Sequence, residues 1–331
     1  MARILLTHTP DMLQSYYGPR ALAALRELGE VRLNPGTVLQ TDALIEAARG
    51  CDVVVSDRQT PGDARFFAHA DDVIAFLRVA VDIRNVDVAA ASKHGILVTR
   101  ATPGFIASVS EQAVGMMIDL ARHISRSAAE YWAGHEATPR MGRQLKGAVL
   151  GIIGFGAIGE YLAPLGLALG MSVLVSDPHK TVDNPALRQV TLETLLAQSD
   201  FVVCLAVANE ETENLMNAAA FARMKPSAYF INLSRGDLVD EAALERALDE
   251  GRIAGAAMDV GRALDQKPSL RLAHLGSVIA TPHVAGLTPE AVEHQAFDTV
   301  EQARALLAGR VPTGAVNAEA ATRLARLRRV T

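Results

Sequence analysis

The sequence is poor in cysteine, in aromatic side chains and in long apolar runs, and each shortage removes a class of protein. Two cysteines in 331 residues, Cys51 and Cys204, cannot staple a small secreted fold. Both lie in apolar stretches with no CxxC spacing and no neighbouring histidine. They read as small core residues of a chain kept in a reducing compartment, and no metal site is expected. The longest segment free of charge and histidine, Tyr161 to Ser176, falls short of the roughly 18 residues of a spanning helix and is interrupted by Pro164, Gly166 and Gly170. At the N-terminus the apolar run Ile4 to Leu6 is too brief for the core of a signal peptide, so a cytoplasmic location is the expectation. An excess of one charge sign is missing too: 32 basic against 37 acidic residues leave a formal net charge of −5, and the basic cluster Arg323 to Arg329 reads as a solvated tail. Neither nucleic acid nor a membrane is an expected partner.

What is present is a chain 50% apolar and long enough for two domains. Short Val/Ile/Leu runs alternate with Ala-rich helical patterns along its whole length. Ile4 to Thr7, Cys51 to Ser56, Val73 to Val79 and Ile96 to Thr99 form a first series of expected strands. Val149 to Ile153, Ser172 to Ser176, Phe201 to Leu205, Tyr229 to Asn232, Gly255 to Val260 and Ser277 to Ala280 form a second. A long helical pattern, Ser108 to Tyr131, joins the two series, and Pro289 to Leu307 reads as a further amphipathic helix. The alternation implies an α/β fold with doubly wound parallel sheets covered on both faces.

Chemistry concentrates in the second series. The strand Val149 to Ile153 runs into Gly154-x-Gly156-x-x-Gly159 and then a helix. Gly154 serves the tight turn, Gly156 the approach of a pyrophosphate and Gly159 the packing of helix on strand, while the first helical residues, Ala157 and Ile158, offer N–H groups to the phosphates. The next strand ends at Asp177, 18 residues beyond Gly159, where an acid accepts from a ribose 2′-hydroxyl and repels a 2′-phosphate. NAD is therefore the expected cofactor, with Lys180 leaving some tolerance for NADP. Further on, Ile231-Asn-Leu-Ser-Arg-Gly236, Gly255-Ala-Ala-Met-Asp-Val260 and Ala280-Thr-Pro-His-Val-Ala-Gly286 each put a polar residue at the carboxyl end of an apolar strand, where such sheets bind ligands.

With these motifs in order, nearly the whole chain resembles the D-isomer-specific 2-hydroxyacid dehydrogenases, a family that includes phosphoglycerate, glycerate, formate and D-lactate dehydrogenases. The resemblance implies a Rossmann NAD domain, residues 101–286, inserted into a flavodoxin-like substrate domain made of residues 1–100 and 287–331. It implies that His283 is the general acid/base, that Arg235 clamps the carbonyl and carboxylate of a small 2-oxo acid, and that Asp259 anchors the nicotinamide carboxamide, with Leu233 and Gly286 also at the cofactor. Val109 and Glu111 would stand at a helix start near the nicotinamide, though Ser108 and Glu111 also read as ordinary capping residues. Trp132 falls on a segment that forms the family's homodimer.

Two departures from the family pattern stand out. The glutamate that partners the family's histidine is replaced by Leu264, and the nearest carboxylate is Asp265, which either orients His283 across a one-residue offset or only caps its own loop. The substrate loop, formed by Ala80, Val81 and Asp82, has Ala80 and Asp82 where relatives carry glycine. An alternative reading that the departures keep open is an NAD(H)-binding sensor or scaffold on the same fold. Asp82 either sets a carboxylate against an anion site or faces outward and changes nothing: on the first reading Asp82→Gly raises activity on simple 2-oxo acids, and no gain across a panel of such acids would leave the second.

Overall fold

The computed structural model describes residues 1–329, which divide into two compact units: Met1–Gly104 with the segment from Thr288 onward, and Phe105–Leu287. In the first, β1 (Ala2–Leu6), β2 (Gly29–Leu33), β3 (Val53–Ser56), β4 (Ala75–Arg78) and β5 (Leu97–Arg100) form a parallel sheet of order β2-β1-β3-β4-β5. Successive residues serve opposite faces, as the pleat requires. Ile4, Leu6, Val53, Val55 and Leu77 pack with Ala296 and Val300 of the helix Pro289–Leu307. On the opposite face Leu5, Val54, Phe76 and Val98 pack with Phe66 and Phe67. Residues after this helix rejoin the unit: the Asn317 amide donates to the Ile96 carbonyl and accepts from the Val98 N–H.

The second unit holds β6 (Val149–Ile153), β7 (Ser172–Ser176), β8 (Leu187–Gln189), β9 (Phe201–Cys204), β10 (Tyr229–Asn232), β11 (Gly255–Met258) and β12 (Val278–Ala280). They pair in parallel as β12-β11-β10-β9-β6-β7-β8, the Rossmann order with its switch point between β6 and β9. Leu150, Ile152, Val173, Val203 and Ile231 face Ala113, Met117 and Leu120 of the helix Ile106–Arg122. Both sheets are doubly wound α/β layers, as the alternation of patterns implies. Cys51 and Cys204 are free and buried, and burial pushes the Cys204 thiol up to about 12.

Three elements differ from the sequence reading. Strand β2 has a polar, half-exposed pattern with Glu30 on its exposed side, and the three-residue β8 is exposed; both are sheet edges, where no second buried face writes an apolar run. The long joining helix is broken at His123, whose φ of 57° ends Ile106–Arg122 and starts Ile124–Trp132. Asp119 holds that corner by accepting from the Ser125 N–H at 2.8 Å.

At the carboxyl ends of β1, β3 and β4 lies a buried polar cluster that the sequence reading passed over. The Asp57 carboxylate accepts from the Thr7 and Thr60 hydroxyls at 2.5 Å and from the Gln59 and Thr60 N–H groups at 2.7 and 3.0 Å. Burial opposes its ionisation, yet these donors hold it below the usual carboxylate range. Arg78, 1% exposed, donates to the carbonyls of Asp57, Arg58 and Thr60 and to the Asn85 side chain. His8 completes the cluster: burial lowers its pKa from 6.5 to about 4, only partly offset by Asp57. Because the unfolded chain binds this proton first, the native state loses stability as pH falls from 6.5 toward 4. Between pH 7.5 and 5 that loss is about 2 kcal/mol from His8 alone, at 1.36 kcal/mol per pK unit. Urea unfolding of His8→Gln at these two pH values is expected to show a drop smaller by that amount than the wild type; equal drops would remove His8 as the source.

Candidate active site

The turn after β6 is built for close approach. Gly154 has φ +87°, and a Cβ there would lie 2.6 Å from the Ala206 backbone that follows β9 across the switch point. Gly156 is the N-cap of the helix Ala157–Ala168, where no side chain caps the first turn and a Cβ would meet open space. The N–H groups of Ala157, Ile158 and Gly159 therefore head a helix dipole toward an uncrowded cradle, the environment a pyrophosphate requires. Asp177 directly follows β7. Its carboxylate accepts from the Phe155 N–H at 2.7 Å and the His179 N–H at 2.8 Å, one on each oxygen, which leaves lone pairs for a ribose hydroxyl. Lys180 pairs with Glu160, so the nearby cation is already matched by an acid and is a poor lure for a 2′-phosphate. By the chemistry of these groups the turn fits NAD.

Beyond β10, the Asn232 amide donates to the Arg235 carbonyl at 2.9 Å and accepts from the Ser234 N–H at 3.2 Å, which folds the segment carrying Arg235. The Arg235 guanidinium donates to the Ser234 carbonyl at 2.8 Å. Gly236 lets this loop touch the one after β11, since a Cβ would fall 2.2 Å from the Gly261 carbonyl. Leu233 is buried in the unit's core.

Asp259 is the hub of the next loop and is 1% exposed. One carboxylate oxygen accepts from the Thr281 hydroxyl at 2.5 Å, the Val284 N–H at 2.9 Å and the Gln112 amide at 3.3 Å; the other accepts from the Ala285 N–H at 2.9 Å. The chain on both sides of His283 is thus tied to one buried charge. A carboxamide contact from the same group would have to use the lone pair left on the second oxygen. Gln112 also donates to the Thr281 hydroxyl at 2.9 Å. Neither Gln112 nor Thr281 was singled out by sequence, although Thr281 sits inside the Thr-Pro-His motif. Gly286 serves packing, with a Cβ position 3.1 Å from Phe105.

The structure brings Asp265 to His283, but through a different atom from the one expected. His283 Nδ1 lies 2.8 Å from the Asp265 main-chain carbonyl. The Asp265 carboxylate side chain is 60% exposed and 4.0 Å from Lys267 Nζ, so the carboxylate pairing expected from sequence is replaced by a backbone contact. Leu264, at the family's glutamate position, is 87% exposed. In the other unit Ala80 is buried, Val81 and Asp82 are half-buried, and the Asp82 carboxylate pairs with the Arg84 guanidinium at 2.7 Å. The charge expected to repel an anion is therefore matched by an arginine. Val109 lies in the core beneath the sheet, and Glu111 is exposed.

Residues 114–285 match the family model described as the D-isomer specific 2-hydroxyacid dehydrogenase NAD binding domain, and a D-3-phosphoglycerate dehydrogenase of a Synechocystis species is 32% identical over 96% of this chain. The chain belongs to the D-isomer specific 2-hydroxyacid dehydrogenase family. A hydroxypyruvate reductase of Thermotoga maritima is 33% identical over 80% of this chain and 87% of its own. The TT0316 protein from Thermus thermophilus superposes with a TM-score of 0.85 at 29% identity, covering 95% of this chain and 99% of that one. This family member spans about half the length of several curated relatives, 56% of the Synechocystis protein among them. NAD is its cofactor, in keeping with the turn after β6. Among the described residues no helix is long and apolar enough to cross a membrane.

Removing the charge on Asp259 turns one acceptor into a donor that faces N–H groups. Asp259→Asn is expected to destabilise the fold by about 2 to 3 kcal/mol, the scale of a hydrogen bond to a charged group. Amide exchange at Val284 and Ala285 should speed up with it; protection equal to the wild type would show that the carboxylate is not what holds this loop.

Proposed function

We propose that the protein is an NAD(H)-dependent oxidoreductase acting on a small 2-hydroxy/2-oxo acid, with residues 101–286 as its NAD domain and residues 1–100 plus 287–331 as its substrate domain. What carries the reading is the state of His283. A carbonyl oxygen only accepts, so the Nδ1 contact to Asp265 fixes the proton on Nδ1 and leaves Nε2 as the nitrogen that exchanges a proton. NAD(H) supplies or accepts the hydride at the substrate C2. In reduction, protonated His283 gives its Nε2 proton to the oxygen on which charge develops, and in oxidation neutral His283 takes it back. The Arg235 guanidinium binds the substrate carboxylate and carbonyl oxygen through its planar fork and stabilises the growing charge. Main-chain groups of Ala80, Val81 and Asp82 are proposed to hold the carboxylate, with Asp82 neutralised by Arg84.

The proposal extends to a cytoplasmic homodimer. The helix Ile124–Trp132 buries none of its residues and exposes Ile124, Tyr131 and Trp132, the last at 85%, an apolar face of the kind that a second copy covers.

Titration with NADH followed by a panel of glyoxylate, hydroxypyruvate, pyruvate and bulkier 2-oxo acids tests the activity. Oxidation of NADH is expected with at least one of them. His283→Asn should lower kcat by about 10² to 10⁴ while NADH still binds, and Arg235→Gln should lower kcat/KM by about 10² or more. Tight NADH binding without turnover on any acid would overturn the reading in favour of an NAD(H)-binding sensor or scaffold.

A further inference from the structure

His283 and the turn that meets it share an uncommon backbone. Five non-glycine residues among those described have positive φ, and three of them are Asp265 (59°), Gln266 (56°) and His283 (60°). Both ends of the 2.8 Å contact between His283 Nδ1 and the Asp265 carbonyl are therefore held in the left-handed region. Such residues persist only where their surroundings over-determine them, and they gather where geometry matters more than stability.

The surroundings here are specific. The turn from Gly261 to Lys267 closes on itself, with Gly261 N–H donating to the Gln266 carbonyl at 2.8 Å, Gln266 N–H to the Ala263 carbonyl at 2.9 Å and Ala263 N–H to the Lys267 carbonyl at 3.1 Å. Arg262 anchors it from outside, donating to the carbonyls of Val239 and Asp237 at 3.1 and 2.9 Å and to the Asn214 side chain at 2.6 Å. Its N–H is taken by Glu241 at 2.9 Å. On the opposite side, Asp259 fixes the main chain just past His283. The segment after β11 thus reaches the His283 loop twice, through the Asp259 carboxylate and through the Asp265 carbonyl, while the Asp265 carboxylate is turned toward Lys267.

We infer that this chain orients its histidine with the main-chain carbonyl presented by the left-handed backbone of Asp265, and not with the Asp265 carboxylate. Asp265 is a positioning residue through its φ and ψ, and aspartate suits the place because its short polar side chain tolerates the left-handed region better than most. The inference rests on the proposed role of His283 as acid/base. A neutral acceptor fixes the tautomer as firmly as an acid would, but puts no full negative charge beside the ring, so it favours the imidazolium less.

The test separates backbone from carboxylate in the full-length protein. Asp265→Asn removes the charge but keeps a residue at ease in the left-handed region; Asp265→Val does the reverse, since a β-branched side chain resists positive φ. Nitrogen NMR of histidine-labelled protein, with the His283 signal assigned by its loss in His283→Gln, reads the tautomer without requiring turnover. The wild type and Asp265→Asn are expected to carry the proton on Nδ1 and to share the midpoint of the pH–rate profile. Asp265→Val should mix the two tautomers and lower kcat by about 10- to 100-fold, as a mispositioned acid does. Loss of the Nδ1–H form in Asp265→Asn would assign the role to the carboxylate and overturn the inference, as would an undisturbed tautomer in Asp265→Val. Should Asp265→Val fail to fold, Asp265→Asn alone still decides. Should the wild type turn over no 2-oxo acid, the tautomer still reports the contact while the proposed reaction fails on its own.

Discussion

Burying a carboxylate is costly unless donors surround it, and the environment of Asp259 meets that condition with two main-chain N–H groups, a hydroxyl and an amide. The consequence is directional. Val284 and Ala285 immediately follow His283, and Thr281 precedes it by two positions, so satisfying one buried charge dictates the path of the chain that carries the histidine. Strand β11 delivers the acid and the segment after β12 delivers the donors; their parallel pairing brings the two within reach. The contact from Asp265 to the imidazole depends on this loop being fixed first, because a hydrogen bond of defined length needs both ends anchored.

The first unit repeats the device with other residues. Asp57 is satisfied by hydroxyl and N–H donors at the ends of β1 and β3, and Arg78 satisfies the carbonyls of the loop that follows β3. In each sheet the carboxyl edge carries buried charge clothed in main-chain groups. Hydrogen bonds to a charged group hold these loops alongside the apolar residues, Val79, Leu233 and Ala285 among them, that join the core. Local strain can be tolerated on such a scaffold. Each left-handed non-glycine residue costs on the order of 1 to 3 kcal/mol, a demand that the anchored turn at Asp265 and Gln266 can carry and a loose loop could not.

What the sequence revealed follows the same physical division. Strands buried on both faces, such as Val149–Ile153 and Tyr229–Asn232, were readable to the residue because two apolar faces leave an unbroken apolar run. The edge strand Gly29–Leu33, with one face in solvent, left no such trace. Gly154 and Gly159 of the cofactor turn were legible because each has a steric reason to lack a side chain, a Cβ falling 2.6 Å from Ala206 and 2.8 Å from the Gly154 carbonyl, whereas Gly156 faces open space. The Asp265 contact was half legible: proximity in sequence pointed to the right residue, and side-chain chemistry pointed to the wrong atom. A carbonyl belongs to every residue, so no residue type announces it, and only the φ and ψ of the turn show that this one is aimed.

That limit bears on how a lost side chain is to be read. Leu264 in place of a glutamate suggests an abandoned site if the acid is taken as the only possible partner of the histidine. The left-handed turn one residue later argues otherwise, since a chain freed from holding its histidine would have no cause to keep Asp265, Gln266 and His283 all at positive φ. The turn that carries Asp265 and Gln266 meets His283 at the Nδ1 contact, and this supports the proposed acid/base reading over that of a binding site that has lost its chemistry.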